Sequence, residues 1–421
     1  MNNYKKSELK NGIRLVSELH PGSRAVSIGV WVLTGTRDES PDVMGISHFL
    51  EHLVFKGTKS RNAYQIALSL EALGGDLNAY TTREYTCFHA LVLKDHWEEA
   101  LDVLTDLVTN MDLNQKEFKL EKGVILQEIA MSEDNHEDII YDVFFEQVYG
   151  KHPLGRPILG TPASIATMKQ KEVMEYYQRT YTGKNIIVSA AGCVDHGELL
   201  EGLEKRMGRK KKSSLKNDRQ VPRWLKRRHV VDKQAEQVHM LLGFPTPSFK
   251  HKNRFEAFIV NALLGGGMTS RLYQSVREKK GLVYTIHSSL NTQIDSGMVL
   301  IYAGTELKNV QKVGDLIAGE FGKLTRGGVS KKDVEMYKTQ VIGSILLGSD
   351  DIENRMTSLA VNELVFGHYR SIESVIEEIK KVSVESVNQF VDENMNLEKT
   401  SGVLMGPDVS SLSQWWGELE L

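Results

Sequence analysis

The sequence has few of the features that would place it in a special class of protein. Only two cysteines, Cys87 and Cys193, occur in 421 residues, which excludes a disulfide framework and a thiolate zinc site. No apolar run approaches the roughly 18 residues of a membrane span, and no signal peptide is visible. The formal net charge of -3 gives no overall attraction to nucleic acid or an anionic membrane. We therefore expect a cytoplasmic protein with neither as a partner.

The length and composition indicate a globular protein with more than one domain. Hydrophobic residues make up 41% and charged residues 25%, and 421 residues exceed one ordinary core. Residues 205–228 stand apart, with twelve Lys or Arg and almost no apolar periodicity. A solvated linker is the preferred interpretation, and binding of nucleic acid or an acidic partner is the alternative. We expect an N-terminal domain at 1–208, a basic linker at 209–229 and a C-terminal domain at 230–421.

The same order of elements is predicted in both halves: a strand, an apolar helix, a glycine break, a further helix and strands. This repetition indicates a duplicated α+β unit. Four later amphipathic segments are expected to cover the sheets as helices. The predicted strands begin at 24–34 and 237–243, the apolar helices are 43–56 and 254–264, the next helices are 63–73 and 269–280, and the covering helices are 310–324, 331–347, 350–365 and 375–394.

The segment His48-Phe49-Leu50-Glu51-His52 is a candidate metal site. Its helix is expected to start at Ser40-Pro41-Asp42. Histidines four residues apart project from one helix face, so two ring nitrogens can reach one Zn²⁺ at about 2.0–2.1 Å. Glu51 lies on an adjoining face, where it can meet a water molecule. Hydrogen-bonded core histidines are the alternative explanation for the pair.

A catalytic zinc usually needs a third protein ligand, and Glu128 is the best candidate. Glu121 and Glu128 lie seven residues apart on a helix predicted at 117–132, so both occupy one face. Their neighbours are largely apolar, and carboxylates in such surroundings need a partner or a function. An ordinary solvated helix face is the alternative for Glu128 alone.

The string from Gly45 to Thr58 resembles the pitrilysin/insulinase family, whose inverzincin signature is H-x-x-E-H. The resemblance covers nearly the whole chain and is strongest to short members such as the mitochondrial processing peptidase β-subunit and its bacterial homologues. Those enzymes place their third zinc ligand 76 residues after the second histidine, which matches Glu128. An accessory glutamate seven residues earlier matches Glu121. The resemblance implies one Zn²⁺ per chain and two homologous α/β-sandwich halves, each a mixed sheet covered by helices.

In the second half the resemblance rests on Gly265–Leu272 and Arg277–Tyr284. It implies that Arg277 and Tyr284 hold the substrate and the developing oxyanion. An ordinary helix-to-strand joint with a surface arginine is the alternative for this pair. The glycine run lacks the preceding strand and the spacing of a dinucleotide fingerprint, and a flexible turn or a substrate-contacting loop is preferred.

The resemblance also implies substrate-binding positions. Asn78 and Ala79 match the edge strand on which family members bind an extended peptide. Phe55 matches a position that packs the side chain just after the cut. Asp138 and Asp142 match an acidic pair that receives a basic side chain just before it, although a solvated helix face explains that pair equally well.

Together these features predict a zinc-dependent endopeptidase that cleaves extended or presequence-like peptides inside a clam-shell chamber. Glu51 is expected to act as general base toward a zinc-bound water. The chain resembles the short family members, which pair two chains, so a homodimer is expected, and Arg277 and Tyr284 serve the zinc site either of their own subunit or of the partner. The alternatives are a non-catalytic, substrate-holding subunit and a chain that needs a different, zinc-free partner.

Overall fold

The computed structural model describes residues 3–212, 218–395 and 399–419. The strands are β1 (Tyr4–Glu8), β2 (Arg14–Leu19), β3 (Ala25–Val32), β4 (Asp76–Thr81), β5 (Thr86–Leu93), β6 (Ile186–Gly192), β7 (Arg228–Asp232), β8 (Val238–Thr246), β9 (Thr285–Thr292), β10 (Gly297–Thr305) and β11 (Ser401–Gly406). The α-helices are α1 (Ile46–Val54), α2 (Ala63–Glu71), α3 (Trp97–Asn110), α4 (Gln115–Asp134), α5 (His136–Tyr149), α6 (Pro162–Thr167), α7 (Gln170–Thr180), α8 (His196–Met207), α9 (Arg254–Gly265), α10 (Val310–Gly327), α11 (Lys331–Gly348), α12 (Ile352–Phe366), α13 (Ile372–Lys380), α14 (Val384–Asn394) and α15 (Ser413–Glu418).

The two sheets share one topology. The first has the strand order β1-β2-β6-β3-β5-β4, and the second has the order β7-β11-β8-β10-β9. If β1 is set aside and the five remaining strands of each half are numbered along the chain, both sheets have the strand order 1-5-2-4-3. Only the first and fifth strands run parallel in each set. The expected α+β fold with two related halves, each a mixed sheet covered by helices, is confirmed.

The chain forms two compact units, and each unit combines three separate segments. Unit 1 consists of residues 1–131, 156–219 and 347–370, and unit 2 consists of residues 132–155, 220–346 and 371–421. Helix α5 therefore belongs with the second sheet and α12 with the first. These helices occupy equivalent places in the sequence, because α5 lies between β5 and β6 and α12 lies between β10 and β11. The units thus differ from the continuous domains expected at 1–208 and 230–421.

Unit 1 has a core on each face of its sheet. On one face, strand residues such as Ile28, Val30 and Phe88 are fully buried against α1 and α3. On the other face, Trp31 and Ile187 pack against α12. The sheet is therefore a buried middle layer, and its edge strand β4 lies beside α1.

Unit 2 repeats this arrangement. One face of its sheet packs against α9, α10 and α14, with Phe244 and Phe321 in contact at 5.5 Å between ring centroids. The other face packs against α5, where Phe144 and Tyr302 are buried. In both units, a helix encoded in the other half of the sequence covers one face of the sheet.

One predicted helix is divided in two, and one arginine of the basic segment is mostly buried. The single helix expected at 375–394 is divided into α13 and α14, because Ser383 caps a new helix by accepting a hydrogen bond from the Ser386 backbone N–H (3.1 Å). The basic segment contains no strand or α-helix between Met207 and Arg228 in its described residues, and residues 213–217 lie outside them. Arg219 in this segment is mostly buried and pairs with Asp38 at 2.6 Å.

Among the described residues, none of the helices combines the length and the apolar character that crossing a bilayer requires.

Candidate metal centre

Helix α1 starts later than expected, and a distant side chain caps it. Pro41–Val43 form a separate 3-10 turn, and α1 begins at Ile46 after Gly45. Gly45 has a φ of 86°, and a Cβ there would lie 2.6 Å from the Leu159 carbonyl oxygen, so only glycine fits. The buried Glu39 accepts hydrogen bonds from the backbone N–H groups of Gly45 (2.7 Å) and Ser47 (2.8 Å). No pattern in the sequence indicates this cap.

The opposite faces of α1 have different environments. Phe49, Leu50 and Leu53 are fully buried in the core of unit 1. His48 and His52 project from another side, with their ring centroids 4.6 Å apart. This arrangement follows from their four-residue spacing, and it directs both imidazoles at α4.

Helix α4 supplies a carboxylate to this pair. A Glu128 oxygen lies 3.7 Å from His48 Nε2, and the other lies 3.5 Å from His52 Nε2. Potential ligand atoms of the three residues all lie within 4.8 Å of one another. Within the part of the chain that the structure describes, Glu128 Oε2 is buried without a hydrogen-bond partner, which is costly unless something else binds it. Two imidazoles and one carboxylate form a donor set that fits zinc.

Glu121 holds His52 from the side away from Glu128. One Glu121 oxygen accepts a hydrogen bond from His52 Nδ1 (2.9 Å), and the other pairs with Lys56 Nζ (2.8 Å). A proton held on Nδ1 leaves the lone pair of Nε2 directed at Glu128. Glu121 therefore orients a candidate ligand, and it does not belong to the three-residue donor set.

The two histidines have opposite pKa shifts. Burial and, to a smaller extent, the nearby His52 together lower the pKa of His48 to about 3. For His52, burial also acts to lower the pKa, but the hydrogen bond to Glu121 and the charge of Glu128 outweigh it, so the pKa is raised. His48 is thus neutral at ordinary pH, which is the form that binds metals.

Glu51 lies beside this donor set and is oriented by the edge strand. Its carboxylate accepts a hydrogen bond from the Thr81 hydroxyl at the end of β4 (2.5 Å). Burial raises the pKa of Glu51, although Thr81 and His52 act to lower it. A carboxylate with a raised pKa can accept and return a proton near neutral pH. The sequence did not identify Thr81, because a threonine at the end of a strand is common.

The expected substrate residues of unit 1 lie near α1. Asn78 and Ala79 lie on β4, which is an edge strand. The Ala79 N–H donates to the Asn78 side-chain oxygen (2.8 Å). Phe55 is the C-cap residue after α1 and packs against Phe88, with 6.3 Å between ring centroids. The edge strand β4 therefore lies beside the helix that carries the two histidines.

The remaining predicted residues belong to unit 2. Asp138 and Asp142 lie on α5, and Asp138 accepts a hydrogen bond from Asn135 (2.5 Å). Arg277 lies in a π-helical turn, Tyr273–Glu278, and Tyr284 immediately precedes β9. The Arg277 guanidinium lies 5.4 Å from the centre of the Tyr284 ring, and Tyr284 is 78% exposed. An exposed tyrosine beside an arginine presents two donors to a ligand.

Comparison with known proteins gives two adjacent family matches. Residues 14–162 match the model described as Insulinase (Peptidase family M16), and residues 167–341 match the one described as Peptidase M16 inactive domain. The chain is 37% identical over 384 residues to a Bacillus subtilis protein named "Uncharacterized zinc protease YmxG", with 91% of this chain and 94% of that protein covered. It is 36% identical over 414 residues to "Uncharacterized zinc protease ML0855" of Mycobacterium leprae, with 96% and 92% covered.

Solved structures share the fold. A protease from Helicobacter pylori superposes with a TM-score of 0.90 at 23% identity, covering 97% of this chain and all of that one. A structure described as a peptidase M16 inactive domain from Pseudomonas fluorescens gives a TM-score of 0.90 at 18% identity, covering 97% and 98%.

Proposed function

Because the chain belongs to peptidase family M16, the insulinase family, we propose that it is a zinc-dependent endopeptidase that hydrolyses extended peptides. The observation that carries the proposal is the donor set of His48, His52 and Glu128, within 4.8 Å of one another and beside Glu51. The names of the bacterial relatives support zinc as the metal.

The chain's own residues would share the chemistry as follows. His48, His52 and Glu128 would hold one Zn²⁺, which when bound polarises a scissile carbonyl and acidifies water. Glu51 takes a proton from the attacking water and returns it to the leaving amine. Its raised pKa suits this exchange.

Binding of the peptide is assigned to the edge strand. An extended peptide that pairs with β4 gains backbone hydrogen bonds with little dependence on its sequence. The Thr81 contact to Glu51 means that such a peptide passes close to the base. Phe55 would pack the side chain after the cut, and Asp138 and Asp142 would receive a basic side chain before it.

Arg277 and Tyr284 are proposed as donors to the oxyanion, within a homodimer whose subunits share these residues. A mixture of the Glu51→Gln and Tyr284→Phe variants tests the sharing. Recovery of cleavage on mixing supports action in the partner subunit, and a mixture as inactive as its components contradicts it.

A second candidate function is that of a substrate-holding subunit without catalysis. The observation that favours it is the match of residues 167–341 to a model described as an inactive domain. The donor set lies outside this range, in the residues that match the peptidase model, so catalysis is the better supported function.

The test is cleavage of a library of unstructured peptides by the purified chain. We expect cleavage that disappears with a zinc chelator and returns when zinc is added back. Cleavage that persists in the metal-free protein contradicts the zinc mechanism, and tight peptide binding by the zinc-loaded chain without cleavage favours the second candidate.

A further inference from the structure

We propose that Glu39 is a positioning residue for the metal-binding helix: its buried side chain caps α1 and thereby fixes where His48 and His52 point. This inference rests on the proposed function, because those histidines matter only as metal ligands. Glu39 is 5% exposed and lies six residues before Gly45. It is therefore outside the helix that it caps.

The contacts of Glu39 replace the usual cap. A helix begins with backbone N–H groups that have no partner within the helix, and a Ser, Thr, Asp or Asn normally accepts from them. Here the residue before α1 is Gly45, which has no side chain. The two oxygens of Glu39 accept from the N–H groups of Gly45 and Ser47 at 2.7 and 2.8 Å. One side chain thus binds the helix start at two points, directly before His48.

Two such contacts stabilise the helix and also restrict its orientation. The buried side of α1 is already held in the core, and two acceptors on the planar carboxyl group of Glu39 further restrict its axial position and its rotation. Rotation of α1 by the angle between successive residues, about 100°, would turn both imidazoles away from Glu128. A small rotation would already misplace the ligand atoms, because zinc sites accept only about 0.2 Å of error.

The segment that carries Glu39 is itself anchored next to the edge strand. The Arg37 N–H donates to the Arg83 carbonyl oxygen (2.9 Å), and the Arg37 guanidinium pairs with Glu84 (2.9 Å). The turn 82–84 directly follows Thr81, the residue that orients Glu51. The segment 37–39 therefore contacts both the start of α1 and the turn after β4, the strand whose Thr81 hydrogen-bonds Glu51.

A second anchor at the same helix start provides a matched control. The Ser47 hydroxyl and the Tyr176 hydroxyl lie within hydrogen-bond distance (2.8 Å), and both residues are buried. This contact does not involve the backbone N–H groups of α1. Tyr176→Phe removes one buried hydrogen bond near the helix start and leaves in place both backbone donors and the Glu39 oxygens that accept from them.

The experiment compares the wild type with Glu39→Met, Glu39→Gln and Tyr176→Phe. Methionine has a similar size but no acceptor, whereas glutamine retains one acceptor oxygen. Zinc affinity is measured by chelator competition, the absorption spectrum of the Co²⁺-substituted protein reports ligand geometry, and hydrogen exchange of α1 is followed in the metal-free protein.

We expect zinc affinity to fall by about 10- to 100-fold in Glu39→Met, the range for loss of residues that orient metal ligands. Glu39→Gln should recover part of it, the Co²⁺ spectrum should change, and exchange should increase in α1 but not in α9. Tyr176→Phe should keep zinc affinity within about threefold.

The proposal would be overturned if Glu39→Met kept both the zinc affinity and the α1 hydrogen exchange of the wild type. It would also be overturned if Tyr176→Phe lost as much zinc affinity as Glu39→Met. A wild type that binds no zinc would refute the proposed function instead. The exchange measurement in metal-free protein would then still decide whether Glu39 fixes the start of α1.

Discussion

At the residue scale, Glu121 contacts one of the proposed metal ligands without belonging to the donor set. It hydrogen-bonds His52 Nδ1 and pairs with Lys56. Burial acts to raise the pKa of Glu121, but these two partners outweigh it and the pKa is lowered. The carboxylate is therefore ionised, and its charge makes the His52 imidazole a better donor to a metal.

Glu121→Gln should weaken zinc binding by at least about tenfold, because a neutral amide cannot increase the basicity of His52. Chelator competition at neutral pH measures the affinity. Glu117→Gln, the same change one turn earlier on α4, is the control and should bind zinc as the wild type does. Equal affinities for all three proteins would show that Glu121 has no influence on the site.

Lys210 gives a stability prediction within the basic segment. Its ammonium donates to the Val108 carbonyl oxygen (3.0 Å) and lies over the Tyr177 ring (5.6 Å). Burial lowers its pKa from 10.5 to about 8. The folded chain loses this proton near pH 8 and the unfolded chain near 10.5. Unfolding therefore takes up a proton between these values, and the free energy of unfolding gains roughly 3 kcal/mol from this group as the pH rises.

Lys210→Met should remove that gain. Denaturant unfolding of both proteins at pH 7.5, 9 and 10.5 provides the comparison. The variant is expected to be more stable at pH 7.5, with an advantage that shrinks toward pH 10.5. An advantage that is constant or grows with pH would show that the folded-state pKa of Lys210 is not lowered.

Single residues also show how much of the site the sequence could predict. His48 and His52 were identified by their helical spacing, and Glu128 by its position on a second helix and by the family resemblance. Glu39 was not, because a cap six residues outside the helix depends on the path of the intervening chain. Thr81 was missed for a similar reason, since its contact with Glu51 joins residues thirty positions apart.

At the scale of elements, the proposed binding of a peptide along β4 depends on the position of this strand at the edge of its sheet. Among the described residues, its one neighbouring strand is β5. The contact between the Ala79 N–H and its neighbour Asn78 indicates that this donor faces the open edge. A peptide that adds to the sheet would take the place of the Asn78 side chain.

Ala79→Pro should impair peptide cleavage by at least about tenfold, mainly through a higher KM. Proline removes the edge N–H and fills its position, yet proline is tolerated on edge strands. Steady-state kinetics on an unstructured peptide measures the effect, with Asp76→Asn on the same strand as the control. Wild-type kinetics in Ala79→Pro, with an unchanged Tm, would argue against strand addition at β4.

Helices and strands were easier to predict than their boundaries and their packing. The amphipathic pattern of residues 310–324 and 331–347 is confirmed as α10 and α11. The predicted helix at 350–365 corresponds to α12, but its periodicity could not reveal that it packs against the first sheet. Periodicity defines an apolar face and not the surface that the face contacts. Only the structure therefore shows that α5 packs in unit 2 and α12 in unit 1.

At the scale of the whole molecule, the place of α12 in unit 1 predicts how the chain behaves when it is cut between its two halves. A fragment 1–212 contains every strand of the first sheet but lacks α12. Its sheet would then expose Trp31, Cys87 and Ile187, all almost fully buried in the intact chain. An exposed apolar sheet face is a liability for association.

The fragment 1–212 should therefore aggregate or unfold without a cooperative transition. Joining residues 347–370 to it through a flexible linker should restore much of the cooperativity. Size-exclusion chromatography and thermal unfolding provide the readouts. A monomeric 1–212 fragment with the Tm of the intact chain would show that α12 is dispensable for unit 1.

The central claim, a catalytic zinc held by His48, His52 and Glu128 with Glu51 as base, is tested most directly by measuring zinc content and peptide cleavage together. The wild type should contain about one zinc per chain and cleave. Glu51→Gln should retain the zinc and lose cleavage, whereas Glu128→Gln should lose both. Full cleavage by Glu51→Gln, or a wild type that cleaves peptides without zinc, would contradict the account.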